Sequence, residues 1–276
     1  MTTTFDWTGR VGDVWAQEWR RTDRSLAGVG GALNAAILAA APGHGTAIDI
    51  DCGAGGTSLA LAARRPDLGI TGIDLSPALI DVARERGAGM PNLRFDVADS
   101  QALGARGADL LFSRHGVMFF ADPVAGFTAL RGAAAPGAAL VFSCFRPRAC
   151  NAWALVVDGA VGNRPAPASG YAPGPYGLAD ADFTRDMLAR TGWTGATAQP
   201  VDFRYVAGAG PNPVEDALGF FSHIGSAART LADAAPEHRE VLRASLRDAL
   251  TRHVQDDAVA FDGAAWIWRA TAGEPL

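Results

Sequence analysis

From Thr46 onward, short apolar runs alternate with stretches whose apolar residues recur every three or four positions. This is the signature of parallel strands joined by crossover helices. The strands read as "TAIDI" (46–50), "GITGIDL" (69–75), "NLRFDVAD" (92–99), "ADLLFSRH" (108–115) and "AALVFSCF" (138–145). "TSLALAARR" (57–65) is the first crossover helix, and "SPALIDVARERG" (76–87) the second, with Ser76 as cap, Pro77 in the first turn and Gly87 at the end. Asp122 and Pro123 open a further helix, in which Val124, Phe127 and Leu130 lie on one face.

After Phe145 the texture changes. "NRPAPASGYAPGPYG" (163–177) predicts a long irregular loop that covers a site. "ADADFTRDMLARTGW" (179–193) predicts a helix, "ATAQPVDFRYVA" (196–207) a strand, and 213–234 and 236–254 two more helices. In the last of these Leu242, Leu246, Ala249, Leu250 and His253 form one stripe. "AAWIWRAT" closes the sheet. The expected fold is α/β: a Rossmann-like, seven-stranded, mostly parallel sheet with helices on both faces and a helical lid inserted before the last strand. Residues 1–44 form an N-terminal helical cap, 45–146 the core, and 147–276 complete the same domain, with the insertion at 208–256. In the cap, Trp15 and Trp19 are spaced to share a helix face.

Composition narrows the function. The 276 residues are 49% hydrophobic with a net charge of -5, enough for a large core and without the basic stripe of nucleic-acid or membrane-surface binders. Small-molecule partners are expected, and a homodimer is an open assembly. All 24 basic residues are arginine, which excludes Schiff-base lysines and lysine-dependent phosphate loops. The three cysteines, Cys52, Cys144 and Cys150, have no metal-ligand spacing and suit a reducing cytoplasm. No secretory signal or apolar span is read, and no metal site is expected.

The chemistry gathers at the tips of the first three strands, where ligands of open parallel sheets bind. In "AIDIDCGAGG" (47–56), Gly53 and Gly55 let backbone N–H groups and a helix N-terminus come close to a ligand. Asp74, at the second tip, is placed to accept from both hydroxyls of a ribose. Asp99, at the third, can accept from an adenine amino group, with Ala98 and Ser100 offering backbone contacts. A dinucleotide fingerprint would want glycine at Ser58, which weakens an NAD-dependent oxidoreductase without removing it.

With "AIDIDCGAGGTSLALA", "TGIDLS", "LRFDVADSQAL", "DLLFSRHGVMFFADP" and "AAAPGAALVFSCF" in order, residues 45 to 146 resemble the class I S-adenosylmethionine-dependent methyltransferases, especially a bacterial small-molecule subgroup. The resemblance implies S-adenosyl-L-methionine as cofactor and S-adenosyl-L-homocysteine as product. It also implies that Cys52, Gly53 and Gly55 face the methionine part, Asp74 and Leu75 the ribose, Ala98, Asp99 and Ser100 the adenine, and backbone near Ser113 the methionine end. Asp51 stands where the family usually has its first glycine. An ordinary backbone there would tolerate a side chain, which either faces the methionine ammonium or turns away to cap the helix.

The reaction so implied moves a methyl group in line to an oxygen, nitrogen or carbon of a small metabolite; a cofactor-binding regulator without turnover is the other alternative. His115, after the fourth strand, is the candidate general base, its ordinary pKa of about 6.5 suiting it to accept a proton. Arg114, Tyr176 and His223 are candidate substrate contacts. For Arg114, pairing with a neighbouring acid is the competing role.

Overall fold

The computed structural model describes residues 4–164 and 170–274. Four helices come first: α1 (Thr4–Trp7), α2 (Arg10–Gln17), α3 (Trp19–Ser25) and α4 (Ala27–Ala40). The core then runs β1 (Gly45–Ile50), α5 (Gly56–Arg64), β2 (Leu68–Asp74), α6 (Pro77–Arg86), β3 (Leu93–Val97), β4 (Ala108–Arg114), α7 (Pro123–Ala133) and β5 (Ala134–Phe145). After it come α8 (Ala152–Ala160), α9 (Ala181–Arg190), β6 (Trp193–Ala209), α10 (Pro213–His223), α11 (Ser226–Asp233), α12 (Pro236–Thr251), β7 (Val254–Gln255) and β8 (Ala258–Ala272). The strands make one sheet in the order β3-β2-β1-β4-β5-β8-β6. β1 to β5 are parallel, whereas β8 is antiparallel to both its neighbours.

The period of two along the strands divides the core. Leu110, Phe112, Val141 and Ile267 face α4 and α5 with Leu33, Ile37 and Leu61. Leu111, Leu140, Phe142 and Trp268 face the opposite side with Phe127 of α7. Parallel strands buried on both faces read as unbroken apolar runs, which explains why "LLF" and "LVF" contain no polar position. The helix starts obey their caps: Ser76 Oγ accepts from Leu79 N at 3.2 Å, and Asp122 accepts from Val124 N and Ala125 N ahead of Pro123.

Several expectations change. The sheet gains the short strand β7, which pairs only with β8. The helix expected over 213–234 is broken at Gly225, whose φ of 92° no helix allows. His253 lies past the end of α12, where its ring meets Phe261 at 4.6 Å. Trp15 and Trp19 do not share a face, because Glu18 separates α2 from α3; Trp15 pairs with Trp7 at 5.9 Å instead. Between β3 and β4 stands only a single 3-10 turn, Ser100–Ala102, so one face of β1 to β3 carries a groove of about 410 Å³ rather than a helix. Part of the 163–177 loop, residues 165–169, lies outside the described residues.

Candidate functional site

The chain leaves β1 at Ile50 and turns through three left-handed residues, Asp51 (φ 50°), Gly53 (φ 55°) and Gly55 (φ 78°), before α5 begins. Asp51 does not have the ordinary backbone that would most simply admit a side chain; aspartate is among the few residues with a side chain that tolerate the left-handed region. The two glycines differ. A Cβ on Gly53 would meet open space, so its backbone is free to face a ligand. A Cβ on Gly55 would lie 2.6 Å from the Phe95 ring, and one on Gly72 at 2.5 Å, so these glycines seat a side chain of β3 beneath the turn.

Asp74 clips the turn in place. Its Oδ2 accepts from Gly53 N and its Oδ1 from Ser76 N, both at 2.9 Å. Burial raises its pKa, with the N–H groups of Ser76, Gly53 and Leu75 opposing that rise. A carboxylate has about four acceptor positions, so the carboxylate keeps capacity for a ligand beside these bonds. Ala98 N donates to Asp74 O at 3.0 Å, which holds the tip of β3 against that of β2. Asp99 is half-buried; its Oδ1 accepts from Gln101 N at 2.9 Å, which starts the 3-10 turn.

Asp51 joins the strand tips and does not cap α5, whose N-cap is Gly55 without a side-chain bond. Ser100 Oγ donates to Asp51 Oδ1 at 2.8 Å, and Gly116 packs on it so closely that a Cβ there would stand 2.5 Å from the Asp51 Cβ. Burial, then the charges of Asp74, Asp99 and Asp49, push its pKa up to about 8 against the Ser100 bond. Asp49, inside β1, accepts from Ser58 Oγ at 2.6 Å, which gives Ser58 its role at the position a dinucleotide fingerprint reserves for glycine. Burial carries Asp49 to about 7. Cys52 is buried, its Sγ directed at Gly53 O. Ser113 Oγ donates to Ile50 O at 2.8 Å, tying β4 to β1.

Two expected substrate contacts are engaged elsewhere. Arg114 pairs with Asp23 of α3, which also binds Arg86 of α6 at 2.9 Å; the pairing role holds. These groups sit over the turn, since a Cβ on Gly56 would lie 3.0 Å from Asp23 Oδ1 and 3.3 Å from Arg114 Nη2. His223 turns from the interior: its Nδ1 meets Glu18 Oε1 at 2.7 Å, and its side chain is 56% exposed. Sequence reasoning missed Asp23 and Glu18: the partners of Asp23 lie 63 or more positions away, and beside its neighbour Arg21 Glu18 meets His223, 205 positions on, which leaves no local signal.

His115 has φ 60° and is buried. Its Nδ1 lies 2.8 Å from Ser143 Oγ, its ring is edge-on to Phe145 at 4.4 Å, and its buried Nε2 has no partner. Burial and then the charge of Arg114 lower its pKa to about 3. The imidazole is thus neutral at pH 7 and a weak proton acceptor, which counts against the general-base expectation. Around Phe145 gather Trp153 of α8, Tyr176, Tyr205 of β6 and Phe221 of α10; Trp153 stacks on Tyr205 at 4.9 Å. Tyr176, a candidate substrate contact, thus stands inside an aromatic cluster with Trp153 and Tyr205, which the sequence did not single out.

A family profile described as a methyltransferase domain matches residues 47–137. A trans-aconitate 2-methyltransferase from Methylobacterium radiotolerans is 36% identical over 95 residues, which is 34% of this chain and 35% of that protein. The chain is aligned to only about a third of the length of that relative. Among solved structures, the YcgJ protein of Bacillus subtilis superposes with a TM-score of 0.59 at 14% identity, covering 88% of this chain and 99% of that one. Haemonchus contortus phosphoethanolamine N-methyltransferase 2, solved with phosphomonomethylethanolamine and S-adenosylhomocysteine, gives 0.57 at 18% identity, covering 99% and 61%. At these identities the likeness is one of fold.

Proposed function

From the premise that this chain belongs to the class I S-adenosylmethionine-dependent methyltransferase family, we propose that it binds S-adenosyl-L-methionine at the tips of β1 to β4 and methylates an oxygen, nitrogen or carbon of a small molecule. The observation that carries this reading is the pairing of an open left-handed glycine, Gly53, with a buried carboxylate, Asp74, that anchors it and keeps acceptor positions in reserve. When bound, the cofactor supplies a sulfonium-activated methyl group, so the residues around it have to orient an acceptor and exclude water.

The donor set suits such a ligand end to end. Asp74 receives the ribose hydroxyls beside Leu75. Asp99, through the oxygen its turn does not use, receives the adenine amino group beside Ala98 and Ser100. An amino-acid end needs one partner of each sign: Asp51 attracts the ammonium, and the excess positive charge of Arg114 and Arg86 about Asp23 attracts the carboxylate. His115 Nε2, neutral and unpartnered, hydrogen-bonds the acceptor and orients it. The acceptor named for the Methylobacterium relative is not carried over, because so little of either chain is aligned.

Asp74→Asn keeps the shape and removes the charge. Calorimetry with S-adenosyl-L-homocysteine should show at least tenfold weaker binding, about 1.4 kcal/mol for a lost charge-assisted pair. Unchanged affinity in a variant with an unchanged melting temperature would remove Asp74 from the site.

A further inference from the structure

Three buried polar atoms without a hydrogen-bond partner among the described residues belong to one group of rings: His115 Nε2, Trp153 Nε1 and Tyr176 Oη. Their side chains come from the end of β4, from α8 and from the segment before α9, so no local motif explains why they meet. Phe145 touches all three rings, at 4.4 Å from His115, 5.4 Å from Trp153 and 6.3 Å from Tyr176. The planes beside Trp153 are nearly parallel: Tyr205 and Phe221 lie at 12° to it and Tyr176 at 27°. Buried polar atoms are ordinarily paired, and leaving one unpaired costs about 1–3 kcal/mol. Three such atoms in a single cluster mark a place where a ligand completes the bonding.

Charge decides what kind of ligand. The arginines whose fields reach these rings are Arg114 at His115, Arg148 at Tyr176 and Arg24 at Tyr205. Each has an acidic partner: Arg114 has Asp23, shared with Arg86 on the side of the glycine turn, Arg148 has Asp158 at 2.6 Å, and Arg24 has Asp216 at 2.7 Å, shared with Arg21. Asp158 is further occupied by Ser226 Oγ at 2.6 Å. Among the described residues no cation facing the cluster is without an acidic partner, and an anion buried among rings without a counter-charge of its own is disfavoured by several kcal/mol.

We propose that this cluster is the acceptor site and that it takes a neutral, flat aromatic molecule carrying a hydroxyl or ring nitrogen, stacked on Trp153 and hydrogen-bonded to His115 Nε2, Tyr176 Oη and Trp153 Nε1. The site is lodged where β4 and β5 end, next to the turn at Asp51 through Gly116. The word acceptor rests on the methyl-transfer reading above; the binding claim does not.

The test is calorimetry with three probes, 4-hydroxyquinoline, 2-naphthol and trans-aconitate, each titrated with and without saturating S-adenosyl-L-homocysteine. At least one aromatic probe should bind on the order of tenfold or more tighter than trans-aconitate. Tyr176→Phe and His115→Asn should each weaken it about fivefold, the value of one hydrogen bond, while homocysteine-nucleoside affinity stays as it was. Asparagine is chosen because it tolerates the left-handed backbone at His115. Preferred binding of trans-aconitate, no binding of either aromatic probe, or full affinity in the Tyr176→Phe variant would overturn the proposal. Failure of S-adenosyl-L-homocysteine to bind, with an aromatic probe still held, would instead overturn the methyl-transfer reading alone.

Discussion

At the scale of single residues, the acidic turn has a consequence in pH. Asp49 and Asp51 carry folded-state pKa values raised to about 7 and about 8 from 3.8. The groups facing Asp51 are Asp74, Asp99, Asp49 and the Ser100 hydroxyl; those facing Asp49 are Ser58, Arg114 and Asp74. Because the folded chain holds these protons more tightly than the unfolded one, stability falls as pH rises from about 4 towards 8 and then levels off. The melting temperature of the ligand-free chain is expected to drop across that window, and Asp51→Asn, which keeps the Ser100 bond and the left-handed backbone, should reduce the drop. The cofactor's positive charges act the other way: they favour ionised Asp51, so binding should release protons and tighten between pH 6 and pH 8, measurable as a buffer-dependent heat that vanishes in the variant. An equal melting-temperature slope in wild type and variant would show that Asp51 has no raised pKa in the folded chain. What the sequence could not convey here is conformation. "DCGAGG" announces a tight turn, but not that Asp51 itself is left-handed or that Gly116 packs upon it.

At the scale of elements, β3 supports the site by one side chain. Phe95 fills the hollow made by Gly55, Gly72 and Gly87, with would-be Cβ distances of 2.5 to 2.9 Å. Phe95→Ala should cost about 3–5 kcal/mol in stability, within the range for a buried phenylalanine. It should also loosen the turn and weaken cofactor binding, whereas Gly55→Ala should lose binding through a clash and a disfavoured φ. Denaturant unfolding and calorimetry on the two variants check this; a Phe95→Ala chain with wild-type affinity would separate the turn from β3. This seat explains which features were legible from sequence. Strands and crossover helices were, because burial on both faces leaves unbroken apolar runs and Ser76, Asp122 and their prolines sign the helix starts. The tips bearing Asp74 and Asp99 were legible too, since strand ends locate them. The fates of Arg114 and His223 were not, because each depends on a partner distant in the chain.

At the scale of the whole molecule, the N-terminal helices hold two regions at once. Asp23 of α3 binds Arg114 of β4 and Arg86 of α6, which border the glycine turn. On the other side, Glu18 accepts from Arg21 at 2.8 Å and meets His223, while Asp216 of α10 pairs with Arg21 and Arg24, each at 2.7 Å. Asp216 Oδ2 also accepts from Ala209 N at 3.1 Å, fixing the start of the insertion to β6. The N-terminal helices therefore bridge the glycine turn and the aromatic cluster, and charge removal at their two ends should have separable effects. Asp216→Asn keeps the Ala209 bond and weakens two partly exposed ion pairs, worth about 1–2 kcal/mol together. We expect it to raise the acceptor KM severalfold with little change in cofactor affinity, because Phe221 and Tyr205 lie beside the released contacts. Asp23→Asn should do the reverse, since it disturbs Arg114 and Arg86 over the turn. Salt provides the control: the exposed pairs at Asp216 are screened at 1 M, where the Debye length is about 3 Å, so high salt should reproduce the Asp216→Asn effect in wild type and add little to the variant. If both substitutions weaken cofactor and acceptor alike, the cap acts as one rigid body and the division between its two ends is refuted.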